Sequence, residues 1–208
     1  VLTAMHSETR QLYELVSQFD QELHNVLQQT PALGSRWLLG EVMCGENSQL
    51  TRQVQQLGKS AFRFSYQNGD LSTVQGRAAL FQLVGRHRPK HLWYSPTCGP
   101  WSSWSRLNES RSLLHQREYA QKRKELMYQI ALGISLYRHQ IMHGDHFHWE
   151  QPQRSLMFQN PNLAEVHQHT QACQFDMCRA GGLVELESQM PMKKGMTVLT
   201  THASLYHH

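Results

Sequence analysis

The sequence predicts an α/β fold in which a mostly parallel sheet is flanked by helices. Short apolar segments alternate with longer amphipathic ones along most of the chain. This alternation is typical of right-handed βαβ crossovers between parallel strands. The 208 residues suffice for one domain with a core, because 39% of them are hydrophobic and only 17% are charged. We therefore predict one α/β domain with an N-terminal helical extension.

The extension is predicted from residues 3–29, which form one amphipathic pattern. Apolar residues such as Leu12, Val16 and Phe19 recur there at spacings of three and four. Pro31 interrupts the pattern before the first strand. We therefore divide the chain into an N-terminal helix with its linker, residues 1–35, and a domain at residues 36–208. The helix is expected to cap the sheet or to meet another part of a longer parent chain.

Strands and helices are then predicted in alternation. The strands are residues 37–44, 61–65, 91–95, 146–150, 172–178 and 196–201, and the helices are residues 48–57, 73–87, 110–142 and 161–170. Residues 110–142 form the longest periodic segment, and its first half is strongly charged. A solvated face is the favoured interpretation of that charged run, ahead of a binding face.

Composition restricts the class of protein. The net charge of +4 permits an anionic partner such as nucleic acid. The four cysteines, which include no CxxC pair, are expected to be free thiols in a reducing compartment, the nucleus or the cytoplasm. No apolar run is long enough to span a bilayer, so no membrane is expected. His143, His146 and His148 have no acidic or cysteine ligand at a suitable spacing, and we expect no metal site there.

The segment from His91 to Ser105 carries the clearest chemical signal. An apolar strand ends at Ser95-Pro96, and a stiff loop follows with Cys98 between two prolines and two tryptophans. Ligands of open α/β sheets bind beyond the carboxyl ends of strands, where this loop is expected. Glu150 ends the next strand and would lie close to Cys98 if the two strands are neighbours. A cysteine with a nearby carboxylic acid suits attack on an electrophilic ring carbon, with proton transfer to a ring nitrogen.

Two turns are candidates for cofactor binding. Residues 43–47 form a strand–turn–helix transition with one glycine, as in Rossmann-like domains, although an ordinary βα turn is an equal alternative. Asp70 follows Gly69 and could hydrogen-bond a nucleoside cofactor, or it could simply mark the start of a helix. Beyond Cys98, Trp101 and Trp104 could flank a flat substrate or could pack the loop against the long helix.

The order of these segments resembles the motif series of class I S-adenosylmethionine-dependent methyltransferases. It is closest to the DNA cytosine-C5 methyltransferases, in the divergent form embedded in retroelement-like polyproteins. The segments that match are Met43-Cys44-Gly45, Gly69-Asp70, Pro96-Thr97-Cys98-Gly99 and Glu150-Gln151-Pro152. The resemblance covers roughly residues 37–201. Thr97 and Gly99 stand where the family has proline and glutamine.

The resemblance implies a Rossmann-like methyltransferase that uses S-adenosylmethionine on nucleic acid, with cytosine C5 favoured. The implied catalytic residues are Cys98 and Glu150. The implied cofactor-binding residues are Met43, Cys44, Gly45, Glu46, Asn47, Asp70, Ser95 and Pro96. The candidate substrate-binding residues are Trp101, Trp104, Arg106 and Arg111.

Two alternatives stay open. In the first, the chain keeps the methyltransferase fold without its chemistry and binds nucleic acid or a protein partner through Arg106, Arg111, Arg117 and residues 122–124. In the second, weaker alternative, the chain is a cysteine hydrolase that pairs Cys98 with a histidine such as His146.

Overall fold

The structure, a computed structural model, describes residues 2–46, 48–176 and 194–206. Its helices are α1 (Leu2–Gln29), α2 (Gln49–Gln56), α3 (Val74–His87), α4 (Ser103–Glu109), α5 (Leu113–Glu125), α6 (Met127–Met142) and α7 (Ala164–His169). Its strands are β1 (Leu39–Val42), β2 (Ala61–Phe64), β3 (His91–Tyr94), β4 (His146–Pro152), β5 (Gln171–Asp176) and β6 (Gly195–Thr200). Asn47 and Cys178, which the sequence analysis singles out, lie outside the described residues.

The six strands form one sheet in the order β2-β1-β3-β4-β6-β5. Strands β1 to β4 pair in parallel, whereas β6 runs antiparallel to both β4 and β5. The predicted α/β class and the helix-flanked sheet are confirmed, but the sheet is mixed rather than uniformly parallel. A parallel pair needs a long crossover, usually helical, whereas an antiparallel return does not. The sequence predicts no helix between its last two strands, which agrees with such a return.

The strand order reverses between β1 and β3. From β1 the chain passes through α2 to β2 on one side, and then through α3 to β3 on the other side. In open α/β sheets, such a switch point opens a crevice at the carboxyl ends of the strands. The candidate cofactor turn follows β1 and the Cys98 loop follows β3, so both border this switch point.

The N-terminal helix is confirmed, and it packs on other helices rather than on the sheet. Its principal contacts are with α3 and α6. Leu12, Val16, Phe19 and Leu23 are buried in these contacts and belong to the main hydrophobic core. Helix α1 therefore forms an outer layer of the molecule, above α3 and α6.

The prediction of one continuous helix at 110–142 is wrong. Helix α5 ends and α6 begins at Leu126, whose φ of −93° and ψ of 8° interrupt the helix. No residue of α5 is buried, whereas most of α6 is buried between the sheet and α1, including Ile130 and Leu136. The polar α5 is suited to solvent and the apolar α6 to the core. The bend at Leu126 lets the two helices occupy these different environments. The unpredicted α4 lies in the segment that follows the Cys98 loop.

Candidate functional site

Three of the predicted site segments lie side by side at the carboxyl edge of the sheet. Val42 of β1 is in register with Tyr94 of β3, and Tyr94 is in register with Trp149 of β4. The next residues along these strands, Met43, Ser95 and Glu150, therefore form one row. Because adjacent strands are about 4.8 Å apart, the row spans only about 10 Å.

Glu150 is held directly beside the Cys98 loop. Its Oε2 atom accepts hydrogen bonds from Ser95 Oγ at 3.0 Å and from Trp93 Nε1 at 2.7 Å. Strands β3 and β4 are neighbours, as the proximity of Glu150 to the loop requires. Within the described part of the chain, Oε1 of Glu150 has no hydrogen-bond partner. One carboxylate oxygen is therefore positioned by protein donors, and the other is free to meet a substrate.

Two buried glutamines fix the loop on the amino-terminal side of Cys98. Gln151 Nε2 donates to the carbonyl of Pro96 at 2.8 Å, and Gln129 Oε1 accepts from the amide of Thr97 at 3.1 Å. Both glutamines are buried. Sequence reasoning missed their roles. The available signal was an amide side chain inside a buried segment, because such groups almost always hydrogen-bond to protein.

Trp101 and Trp104 have opposite environments. Trp101 is buried, and its carbonyl accepts hydrogen bonds from Leu156 N at 2.7 Å and from Ser155 Oγ at 3.2 Å. Its environment fits packing of the loop, the alternative to substrate stacking. Trp104 on α4 is 73% exposed. Its ring is accessible to a flat substrate next to the loop.

Arg123 joins α5 to the Cys98 loop, which the sequence did not reveal. Its Nε donates to the carbonyl of Pro100 at 2.9 Å, and its Nη2 donates to Ser105 Oγ at 3.1 Å. It also forms an ion pair with Glu109 of α4. The hydrogen bond from Arg123 is the main reason that the pKa of Glu109 lies below its usual value. Arg123 thus closes α4 and α5 into a hairpin, residues 103–125, beside the loop.

The outer surface of the α4–α5 hairpin combines positive charge with exposed apolar groups. Arg106 donates to Gln159 Oε1 at 2.7 Å, and Arg111 lies in the connection between the two helices. The exposed cations are Arg106, Arg111, Arg117, Lys122 and Lys124. The exposed apolar side chains are Trp104, Leu107, Leu113 and Leu114. The predicted solvated face is therefore present, and it is not uniformly polar.

The candidate cofactor turn after β1 is strained and open. Met43 has a φ of +61°, an unusual conformation for a residue with a side chain. Gly45 and Glu46 are exposed, and a Cβ atom at Gly45 would meet no atom within 4 Å. Burial and the charge of Glu41 raise the pKa of Cys44 to about 12, so Cys44 remains a protonated thiol. The turn therefore offers accessible backbone without a reactive group of its own.

Glu41, in β1 just before this turn, has a role that sequence reasoning missed. It is buried in β1, and its carboxylate accepts hydrogen bonds from Ser48 Oγ at 2.6 Å and from Thr51 N at 3.2 Å. A carboxylate at a helix N-terminus satisfies donors that the helix leaves unpaired. Glu41 thus fixes the start of α2 beside the turn. The signal was a charged residue within an apolar strand.

Asp70 lies in a turn that packs tightly on α3. Its Oδ1 accepts from Ser72 N at 2.9 Å, and this hydrogen bond lowers the pKa of Asp70. Thr73 is the N-cap of α3 and accepts from Gly76 N at 3.1 Å, so the predicted helix start is confirmed. A hydrogen bond from the Ser72 side chain also lowers the pKa of Asp70. Asp70 is thus an ionised, partly exposed carboxylate that Ser72 holds in place.

The alternative that pairs Cys98 with His146 does not fit the sheet. His146 begins β4 and is in register with His91 at the amino end of β3, whereas Cys98 lies beyond the carboxyl end of β3. The length of a four-residue strand, roughly 10 Å, separates the two levels. Among the described residues, no group of three or more His, Cys, Asp or Glu side chains is arranged to hold a metal ion. In the same part of the chain, no helix is long and apolar enough to cross a membrane.

The chain has no match among the known proteins with which it was compared. No family model matches it, and neither a curated protein nor a solved structure does so. Its function therefore has to be inferred from the site itself.

Proposed function

We propose that this chain is an S-adenosylmethionine-dependent methyltransferase that acts on nucleic acid, with cytosine C5 as the favoured acceptor. The observation that carries the proposal is the contact between Glu150 and Ser95, 3.0 Å long, at the root of the Cys98 loop. It supports an acid on β4 beside the loop that follows β3 and carries the nucleophile. Their position beside the switch point supports a Rossmann-like cofactor site next to them.

The roles follow from the surroundings of each group. The Cys98 thiolate adds to C6 of the cytosine ring while Glu150, through its free Oε1, protonates the ring nitrogen N3, so C5 becomes nucleophilic and takes the methyl group. Loss of the C5 proton to water then restores the C5–C6 double bond and expels the Cys98 sulfur, and N3 returns its proton to Glu150. Trp93 and Ser95 hold Oε2 and so orient the carboxyl group. S-adenosylmethionine, when bound, supplies the electrophilic methyl group.

The residues at the carboxyl edge fit such a cofactor. The open turn at Met43–Glu46 lets a ligand approach the backbone, which the exposure of Gly45 supports. The partly exposed carboxylate of Asp70 is an acceptor for a hydroxyl or amino group. Pro96 lies at the same edge, and its carbonyl is already held by Gln151. Ser95 contributes at this edge by donating a hydrogen bond to Glu150.

The α4–α5 hairpin is the proposed contact for nucleic acid. It holds six lysines and arginines against three glutamates, in a chain whose net charge is +4. Cationic side chains bind phosphates, and an exposed aromatic ring such as Trp104 can stack on an unpaired base. The proposal includes a nuclear or cytoplasmic location and an origin within a longer polyprotein.

Calorimetric titration with S-adenosylmethionine tests the cofactor site. We expect saturable binding that Asp70→Asn weakens by about tenfold, since one charge-assisted hydrogen bond contributes about 1.4 kcal/mol or more. Glu8→Gln, an exposed carboxylate on α1, is the matched control and should bind as the wild type does. No saturable heat with the wild-type protein would contradict the proposal.

A second candidate function is that of a methyltransferase-fold module that binds nucleic acid without chemistry. The observation that favours it is that the cations of the hairpin lie on a segment separate from the cofactor turn and from the Glu150 contact. It predicts binding of labelled DNA or RNA that is the same with and without S-adenosylmethionine. Fluorescence anisotropy measures this binding directly. A requirement for cofactor would exclude this second candidate.

A further inference from the structure

Four histidines from three parts of the chain gather on the sheet face that also carries α2. The ring of His91 stacks on those of His146 and His148, with centroids 4.9 and 5.3 Å apart. His202, which follows β6, lies edge-on to His146 at 4.2 Å and to His91 at 5.1 Å. These four residues, the histidine cluster, play no part in the proposed methyl transfer.

The hydrogen bond between His91 and His148 requires that at least one of the two rings be uncharged. His91 Nδ1 and His148 Nε2 are 3.0 Å apart, so one nitrogen must donate a proton and the other must accept it. If both rings were charged, both nitrogens would carry protons and the bond would be lost. His148 Nδ1 is also 2.7 Å from Thr200 Oγ1, and only 1% of His148 is exposed. A charge on His148 could not reach water without movement of its neighbours.

The cluster connects the end of the described chain to the sheet. The backbone N–H of His202 donates to Thr200 Oγ1 at 3.0 Å, and His202 Nδ1 lies 2.7 Å from Ser204 Oγ. A short 3₁₀ turn at Ala203–Tyr206 follows. A cavity of about 250 Å³ lies beneath this turn, and its lining includes Leu50 and Leu205. His202, Ser204 and Leu205 thus form one wall of this open pocket.

We propose that the histidine cluster is a pH-dependent switch, in which protonation separates His202 from β3 and β4 and releases the terminal turn, residues 202–206, while Thr201 stays hydrogen-bonded to Phe147 of β4. At neutral pH the uncharged rings stack and hold the turn in place. A second or third positive charge within about 5 Å replaces stacking with repulsion. The movement removes the wall of the pocket that His202, Ser204 and Leu205 form.

The charged groups around the cluster do not compensate for added protons. Lys90, just before β3, adds positive charge near His91. Asp145, just before β4, is the nearby carboxylate, and it is already paired with Arg36. The α2 side chains that line the cavity, Leu50 and Val54, are uncharged. Glu150 lies further along the same sheet face and accepts from Trp93.

The pKa values agree with this arrangement. Burial and the neighbouring histidines lower the pKa of His91 to about 4 and that of His148 to about 3. Burial and His202 also lower the pKa of His146. A group whose pKa is depressed in the folded state binds its proton more readily after release. The cluster therefore stabilises the closed turn above pH 6.5, and this contribution is lost as the pH falls towards 4.

Backbone amide NMR of residues 202–206, recorded from pH 7.5 to pH 4, tests the switch. We expect these signals to change cooperatively below pH 6 while the signals of α1 and α6 stay in place. His202→Gln replaces the ring that faces His91 and His146 with an uncharged side chain and should lower the midpoint by about half a pH unit or more. His169→Gln, an exposed histidine on α7, is the control and should leave the midpoint unchanged.

Three results would overturn the proposal. The first is a terminal turn that stays in place down to pH 4. The second is release only together with unfolding of α1 and α6. The third is an equal shift of the midpoint in His169→Gln. Because the readout needs neither cofactor nor nucleic acid, it is independent of the methyltransferase proposal.

Discussion

Gly76 and Arg77 connect the Asp70 turn to the rest of the molecule. A Cβ atom at Gly76 would lie 2.0 Å from the carbonyl oxygen of Asp70, so the turn can pack on α3 only beside a glycine. Arg77 is buried and donates to the carbonyl of Ser72 at 2.9 Å, and it also pairs with Glu22 of α1. The N-terminal helix therefore helps to position a candidate cofactor turn.

Gly76→Ala should displace the Asp70 turn and destabilise the protein. The added methyl group overlaps backbone rather than a mobile side chain, and we expect a loss of about 1–3 kcal/mol in the free energy of unfolding. Urea denaturation measures this loss. Gly99→Ala is the matched control, because a Cβ there meets nothing within 4 Å. Equal stability of the two variants would contradict the close approach at Gly76.

Arg77→Met should cost about 3–5 kcal/mol, because it leaves the Glu22 carboxylate partly buried without its partner. Arg10→Met breaks an exposed pair with Glu14 and should cost about 0.5 kcal/mol or less. Burial alone would raise the pKa of Glu22, but hydrogen bonds from Arg77 and Gln18 hold it below its usual value. This pair therefore stabilises the wild type above about pH 4.5, and its contribution falls as Glu22 is protonated. Urea titrations at pH 7 and pH 3.5 should show the cost of Arg77→Met shrinking at the lower pH.

At the scale of elements, some parts of the fold can be predicted from local sequence signals, and other parts depend on long-range contacts. Helices α1 and α3 and strands β1 to β3 are predictable from sequence because periodicity and turn residues lie within each segment. The break at Leu126 is not, since no glycine or proline marks it and only the burial of α6 requires it. The roles of Gln129 and Gln151 in holding the Cys98 loop could not be predicted for a similar reason, because each contacts a loop distant in sequence.

Gln151→Leu should loosen the Cys98 loop. It leaves the carbonyl of Pro96 without its donor, at a cost of about 1–3 kcal/mol. We expect alkylation of Cys98, followed by peptide mass spectrometry, to become several-fold faster than in the wild type. Gln168→Leu, an exposed position on α7, should leave the rate unchanged. An unchanged rate in Gln151→Leu would show that this hydrogen bond does not restrain the loop.

At the scale of the whole molecule, the candidate site depends on strand order. Sequence reasoning could predict that Cys98 and Glu150 share an edge, because both follow strands of one parallel series. It could not predict that β6 lies between β4 and β5 in the opposite direction, since the pairing partner of an edge segment is set by distant strands. The separation of His146 from Cys98 likewise became evident only from the register of β3 and β4.

Nucleic-acid binding should depend on the hairpin and on salt. Arg111→Glu with Arg117→Glu should reduce affinity by about tenfold or more at low salt and flatten the dependence of log Kd on log salt concentration. Lys59→Glu, exposed between α2 and β2 near the opposite edge of the sheet, is the charge control and should have a smaller effect. Anisotropy with labelled single-stranded and duplex oligonucleotides gives both quantities. Equal losses in the hairpin variant and the control would indicate general charge attraction alone.

The most direct test of the central claim is transfer of a radiolabelled methyl group from S-adenosylmethionine to DNA or RNA. The account predicts transfer by the wild-type protein and by Cys173→Ser, a free cysteine on the edge strand β5. It predicts a loss of about a hundredfold or more in Cys98→Ser and in Glu150→Gln, because each removes a reacting group. Undiminished transfer by Cys98→Ser, or no transfer by the wild-type protein to any nucleic acid, would contradict it.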